Sequence, residues 1–204
     1  MKILGLTGQS GAGKTLFSQI LQEKGHPCIN ADELYHSMLI PPSKTLDAIK
    51  NAFGKDFFNE DGSLDRKKLA KHVFSNPEKL KLLNETVLPQ VADRLAEIAK
   101  EYENAGAKLL VIDAPTLFEA GYDKSCDLTV SVIAPSKIRT ERISERDGIS
   151  LEDAILRTNA QKDDSFYYER SDYVIENNGD TAALKRKAEK LICAIGIYAK
   201  KDRL

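Results

Sequence analysis

The sequence predicts an α/β domain organised around a parallel sheet of about five strands with helices on both faces. Short apolar runs alternate with longer stretches that carry a helical pattern, and this order is typical of strands joined by crossover helices. Each run is continuous rather than alternating in polarity, as expected for a strand covered on both faces. A glycine-rich loop joins the first run to the first helical stretch.

The predicted strands, in chain order, are residues 2–7, 27–30, 108–113, 127–134 and 172–176. Gly25 followed by Pro27 indicates a helix end before the second strand, and Asn76 followed by Pro77 indicates a capped helix start. A last amphipathic helix is predicted from Thr181 to Tyr198.

The spacing of the strands predicts one domain, residues 1–204, with two helical excursions. More than 70 residues separate the second strand from the third, far more than a simple crossover needs. We therefore expect a helical insertion at about 35–105 and an arginine-rich lid at about 135–171. The remaining segments, 1–34, 106–134 and 172–204, form the predicted core.

Composition and charge exclude several classes of protein. An apolar share of 42% with 30% charged residues rules out a disordered chain. Lys plus Arg number 30 against 31 for Asp plus Glu, which argues against a nucleic-acid partner. No apolar run reaches the roughly 20 residues of a membrane span, so we expect no membrane partner. A homo-oligomer is compatible with the sequence.

The cysteines predict a reduced, cytoplasmic setting. Cys28, Cys126 and Cys193 are far apart and odd in number, and with the three histidines they form no zinc spacing. We expect each thiol to act as a small buried hydrophobe.

Residues 8–15, GQSGAGKT, match the phosphate-binding pattern G-x-x-x-x-G-K-[ST] between a strand and a helix. Backbone N–H groups of such a loop and the helix N-terminus cradle phosphates, the lysine reaches the β- and γ-phosphates, and the threonine hydroxyl binds Mg²⁺. The sequence thus predicts ATP and Mg²⁺, with the cofactor-binding residues Gly8, Gly11, Ala12, Gly13, Lys14, Thr15 and Leu16.

Among P-loop proteins, the remaining motifs favour a small kinase. No guanine-binding NKxD motif is present, and the third strand ends in a single acid, Asp113, before Ala114-Pro115. Helical excursions for an acceptor and a lid are what a nucleotide-type kinase requires. Another small-molecule kinase, or a nucleotide-sensing module without turnover, is the alternative.

Several sequence blocks then stand in the order of one known family. They read GLTGQSGAGKT at the start, INAD at 29–32, FG at 53–54, DGSLDRKKL at 61–69, APTLFEAG at 114–121, RTERISERDG at 139–148, RTNAQ at 157–161 and SDYVIENNG at 171–179. The chain resembles the dephospho-coenzyme A kinases. The resemblance implies a P-loop three-layer sandwich that phosphorylates the ribose 3′-hydroxyl of dephospho-CoA with MgATP.

This chain departs from the family pattern at three places. Leu88-Pro89 stands where the family usually has His-Pro, Thr116-Leu117 replaces a leucine pair, and Arg139 replaces a glutamine. The departures concern acceptor binding more than phosphate chemistry.

Asp32 and Asp113 are the candidate acids. Asp32 follows the second strand, where a carboxylate could orient the acceptor hydroxyl and take its proton, or could cap a helix that begins at Glu33. The resemblance places the catalytic aspartate at Asp32. Asp113 is a candidate Mg²⁺ ligand, with capping of the turn before Pro115 as the alternative.

Three arginines, Arg139, Arg142 and Arg146, recur at helical spacing in the predicted lid. They form either a solvated face shared with glutamates or a set that closes over ATP phosphates. The resemblance favours Arg142 and Arg146 as catalytic, beside Lys14 and Asp32. Arg157 and Gln161 are further lid candidates. The segment Asn177-Asn178-Gly179 is either a turn or a contact of the adenine. If it contacts the adenine, we expect Asn178 to be the nucleotide-binding residue.

Overall fold

A computed structural model describes residues 1–196 of the chain. These residues form two compact units. One consists of Met1–Ile29 and the chain from Tyr102 onward, and the other is Asn30–Glu101.

The first unit contains the predicted sheet. Its strands are β1 (Lys2–Gly8), β2 (Cys28–Asn30), β3 (Leu109–Asp113), β4 (Leu128–Ile133) and β5 (Tyr173–Glu176), in the spatial order β2-β3-β1-β4-β5. Strand β1 pairs in parallel with β3 and β4, and β4 pairs in parallel with β5. Every residue of β3 and β4 is buried, which explains their continuous apolar sequence. The predicted parallel sheet is confirmed.

Helices cover this sheet and complete its core. They are α1 (Lys14–Glu23), α6 (Ser136–Asp147), α7 (Leu151–Asn159), α8 (Asp164–Arg170) and α9 (Thr181–Ala194). Phe17 and Leu21 of α1 and Leu184 of α9 join Leu4 and Val130 of the sheet in one buried cluster. Helix α9 begins at the predicted residue and ends before Tyr198, which lies outside the described residues.

The second unit is helical, as predicted for this stretch. Its helices are α2 (Ala31–Met38), α3 (Lys44–Phe53), α4 (Arg66–Phe74) and α5 (Pro77–Asn104), of which residues 102–104 are counted with the first unit. Side-chain oxygens cap the helix starts: Ser43 caps α3, Asp65 caps α4 and Asn76 caps α5. The cap at Asn76 is the one that the sequence predicted.

The three thiols are less buried than the sequence predicts. Cys28 and Cys126 are half-buried rather than buried, and this burial raises the pKa of Cys28 to about 11 and that of Cys126 to about 12. Cys193 is exposed, so its predicted burial is wrong. The reason is its place on the solvent side of α9, between the buried Ile192 and the exposed Ala194. Within residues 1–196, no helix is both long enough and apolar enough to cross a bilayer.

Candidate active site

The glycine loop connects β1, in the middle of the sheet, to α1. Gly13 is the residue before α1 and has a left-handed backbone, with φ of 95°. Helix α1 therefore begins at Lys14, and its N-terminus, which is the positive end of the helix dipole, lies at the end of the loop. This is the strand–loop–helix context that the phosphate-binding pattern requires.

Lys14 and Asp113 form an ion pair in the glycine-loop site. The Lys14 ammonium donates to the Asp113 carboxylate, and both side chains are largely buried. Asp113 lies beside Leu6 in the register of β1 and β3, so the parallel pairing of these strands brings the acid next to the loop. The predicted phosphate lysine and the predicted metal ligand are thus neighbours, and Thr15 follows in the first turn of α1.

Two side chains from other elements hold the loop by its carbonyl groups. Arg142 of α6 donates from Nη1 to the carbonyl oxygen of Gly11, at 3.2 Å, and to that of Ala12, at 3.5 Å. Asn177, directly after β5, donates from Nδ2 to the Ala12 carbonyl oxygen at 2.8 Å. Of the predicted lid arginines, Arg142 is therefore in the site.

The loop after α7 also contacts the glycine loop. The Gln161 Oε1 atom accepts from the Ser10 backbone N–H at 2.7 Å and from Arg139 Nη1 at 3.3 Å. Gln9 Nε2 donates to Asp164 Oδ1 at 2.7 Å. Arg139 is buried, and this burial lowers the pKa of its guanidinium. Arg139 and Gln161 thus form a polar network that fixes the predicted lid segment to the glycine loop.

Arg146 and Arg157 point elsewhere. Arg146 Nε and Arg157 Nη1 each lie 2.7 Å from the Asp147 carboxylate. The two arginine side chains are 61% and 56% exposed, so these pairs contribute little to stability. Their guanidinium groups nevertheless hold the pKa of Asp147 below its ordinary value. The three arginines at helical spacing therefore have three different surroundings.

Asp32 lies in the first turn of α2 and does not cap it. The helix begins at Ala31, and the cap is Asn30, whose Oδ1 accepts from the backbone N–H groups of Asp32 and Glu33 at 2.9 and 3.2 Å. The alternative in which Asp32 caps a helix that starts at Glu33 is wrong. The reason is that strand β2 ends at Asn30 and the helix starts at the next residue, so Asn30 occupies the capping position.

Comparisons with known proteins agree with these features. The sequence model of the family described as dephospho-CoA kinase matches residues 2–183. The chain belongs to the dephospho-CoA kinase family. A dephospho-CoA kinase of Corynebacterium glutamicum is 35% identical over 192 residues, which cover 94% of this chain and 96% of the relative. One of Carboxydothermus hydrogenoformans is 35% identical over 187 residues, or 92% and 91% of the two chains.

Solved structures show the same fold. The protein TT1252 of Thermus thermophilus superimposes with a TM-score of 0.78 at 31% identity, over 95% of this chain and 97% of the other. The dephospho-CoA kinase of Campylobacter jejuni gives 0.61 at 23% identity over 95% and 97%, and the shikimate kinase of Acinetobacter baumannii gives 0.55 at 18% over 97% and 96%. The predicted family and the P-loop kinase fold are confirmed, and the chain is a kinase.

In this dephospho-CoA kinase family member, the two asparagines directly after β5 have different surroundings. Asn178, the predicted nucleotide contact, is exposed and donates to Glu176 Oε2 at 3.5 Å. Its neighbour Asn177 is buried against the glycine loop. The sequence predicted no separate role for Asn177. Its position directly after a strand of the parallel sheet was the available signal.

Proposed function

We propose that this kinase transfers the γ-phosphoryl group of ATP to the ribose 3′-hydroxyl of dephospho-CoA, giving CoA and ADP. The observation that carries the proposal is the match of the dephospho-CoA kinase family over residues 2–183, nearly the whole chain. Relatives of that name cover more than nine-tenths of the chain at 35% identity. The free thiols support a reduced, cytoplasmic setting for this reaction.

The glycine loop is the proposed site for the phosphates of ATP. The backbone N–H groups of Gly11 and of residues 13–16, with the N-terminus of α1, offer donors and positive potential to an anion, whereas those of Gln9, Ser10 and Ala12 already donate within the protein. Lys14 exchanges its present partner, Asp113, for the β- and γ-phosphates. Arg142 stands beside the loop, where it adds positive charge as negative charge develops on the transferred group.

Thr15 and Asp113 are the proposed Mg²⁺ ligands, and their oxygen atoms are of the type that Mg²⁺ prefers. Among residues 1–196, no cluster of three or more His, Cys, Asp or Glu side chains is suited to hold a metal without the nucleotide. These two ligands fit an ion that is otherwise held by phosphate oxygens and water. Bound Mg²⁺ supplies charge neutralisation on the phosphates.

Asp32 is the proposed acid–base residue for the acceptor. Because Asn30 supplies the cap of α2, the Asp32 carboxylate is not needed for that purpose. Within Asn30–Glu101 nothing bonds to this carboxylate, which leaves it able to orient a hydroxyl and accept its proton. We propose that this helical unit binds the acceptor, with Leu88 in place of the family's usual histidine, and that Arg146 and Asn178 act with bound nucleotide.

Mass analysis of the products tests the proposed function. The purified protein is incubated with MgATP and, separately, with dephospho-CoA, adenosine and shikimate, the last because shikimate kinases share the fold. We expect CoA and ADP from dephospho-CoA alone, and about 10²- to 10³-fold less of both in the same time from a Lys14→Ala control. Phosphorylation of a different acceptor, or binding of ATP without any phosphorylated product, would contradict the proposal.

A further inference from the structure

Asn177 connects the sheet directly to the glycine loop. It follows the last residue of β5 and is 4% exposed. Its backbone N–H donates to the Ile133 carbonyl at the end of β4, at 2.7 Å. The residue is thus anchored to two adjacent strands before its side chain makes any contact.

The side chain of Asn177 reaches a residue 165 positions earlier in the chain. Its Nδ2 atom donates to the Ala12 carbonyl oxygen at 2.8 Å, in a buried hydrogen bond. This bond fixes the direction of the Ala12 carbonyl. Because a trans peptide is planar, with C=O and N–H on opposite sides, the N–H of Gly13 then points the other way. The orientation of the Ala12–Gly13 peptide is therefore set from the end of β5.

Gly13 and Asn177 fit each other closely. A Cβ atom added to Gly13 would lie 2.4 Å from Asn177 Nδ2, so a side chain at this position would displace the amide. Arg142 donates to the same Ala12 carbonyl and to that of Gly11, which adds a second donor from a different element. Two consecutive carbonyl groups of the loop are thus held from outside.

We propose that Asn177 is a positioning residue for the phosphates of ATP, acting through the Ala12–Gly13 peptide. A glycine loop binds phosphate with N–H groups, and it binds well only when those groups already point inward. Asn177 stabilises that arrangement before the nucleotide arrives. The inference rests on the proposed use of ATP, and it is independent of which acceptor is phosphorylated.

Calorimetric titration of ATP and of ADP, without acceptor, tests this role directly. Asn177→Ala removes the donor, and Asn177→Asp keeps the size of the side chain but places an acceptor against the Ala12 carbonyl. We expect both variants to raise the Kd for ATP about 10- to 100-fold, because the Ala12–Gly13 peptide keeps only the 3.5 Å contact from Arg142 and has to be ordered when the nucleotide binds. In steady-state assays KM for ATP should rise while KM for dephospho-CoA stays constant.

The matched control is Thr129→Val. Thr129 is buried near the start of β4, away from the end that carries the glycine loop, and its hydroxyl donates to Asp172 Oδ2 at 2.8 Å. This variant should lower Tm without changing the Kd for ATP. If Asn177→Ala does not fold, Asn177→Ser removes the same contact and leaves a smaller cavity than alanine does.

Asn177 variants that melt at a lower temperature but bind ATP like the wild type would overturn the inference, because Asn177 would then only stabilise the sheet. A wild-type protein that binds ATP but makes no CoA would contradict the proposed acceptor and leave the inference standing. A wild type that does not bind ATP would overturn both.

Discussion

The carboxamide oxygen of Asn30 accepts the backbone N–H of Asp32 at 2.9 Å, so the residue that caps α2 is two positions before the proposed acid–base residue. Capping and chemistry at the start of this helix are therefore carried by different side chains. This separation allows each to be removed without the other.

Asp32→Asn should leave stability unchanged and lower kcat by about 10²- to 10⁴-fold, the usual worth of acid–base catalysis. The reason is that the amide keeps the size of the side chain but cannot accept the proton of the ribose hydroxyl. Thermal melts and coupled ADP-release assays measure the two effects. In the matched variant Asn30→Ala, loss of the cap should cost about 1 kcal/mol of stability with kcat largely retained. Wild-type turnover by Asp32→Asn would exclude the proposed role.

Lys14→Ala should lower turnover about 10²- to 10³-fold, since it removes a charge that stabilises the transition state. It should also destabilise the protein, by about 1.5–3 kcal/mol, because the largely buried ion pair with Asp113 is lost. The double variant Lys14→Ala/Asp113→Asn should recover most of the stability and none of the turnover. Urea unfolding with parallel kinetics distinguishes these outcomes. Recovery of activity in the double variant would argue against a direct role of Lys14 at the phosphates.

Arg142→Ala should raise KM for ATP and lower kcat, because its guanidinium group is beside the glycine loop. Arg146 is paired with Asp147 and mostly exposed, so Arg146→Ala should leave KM for ATP near the wild-type value and show its effect, as a lid residue, in kcat alone. Melting temperatures of both variants should stay close to the wild type. If either substitution changes the melting temperature and not the kinetics, that arginine is a surface residue without a role in transfer.

Gly11→Ala should be more harmful than Gly148→Ala. Both glycines have left-handed backbones, with φ of 78° and 63°. A Cβ on Gly11 would lie 2.7 Å from the Arg139 carbonyl oxygen, whereas a Cβ on Gly148 meets nothing within 4 Å. Gly148→Ala should therefore cost only the backbone term, about 1–2 kcal/mol, and Gly11→Ala should cost more and weaken ATP binding. Equal unfolding free energies for the two variants would show that the loop moves away from α6 without cost.

Stability should fall at mildly acidic pH because of His26. Burial, assisted by Lys24, lowers the pKa of His26 below 6.5, and among residues 1–196 its buried Nε2 has no hydrogen-bond partner. The unfolded chain then holds the proton more tightly than the folded one. The contribution of neutral His26 to the free energy of unfolding is therefore complete above pH 6.5, and it decreases as pH falls towards the folded-state pKa.

In the matched variant His26→Phe, denaturant midpoints should depend less on pH between neutrality and that lower pKa. Parallel curves for the wild type and the variant would assign the acid sensitivity to other groups.

The sequence by itself determined the sheet, the glycine loop and the family. Continuous apolar runs are a local property of strands buried on both faces, and the eight-residue phosphate pattern requires only its own strand and helix. Lys14 and Thr15 belong to that pattern. The helix starting at Pro77 was likewise predictable, because the capping residue and the helix are adjacent in the chain.

The tertiary structure alone decided which distant side chains surround the loop. Arg139, Arg142 and Arg146 have equivalent spacing in sequence, yet one is buried in a polar network, one holds the loop carbonyls and one pairs with Asp147 on the surface. Spacing fixes the face of a helix but not what packs against that face. The same reason explains why Asn177, and not Asn178, contacts the glycine loop. The two side chains leave opposite sides of the chain after β5, and only the parallel order of β1, β4 and β5 places the Ala12 carbonyl on the side of Asn177.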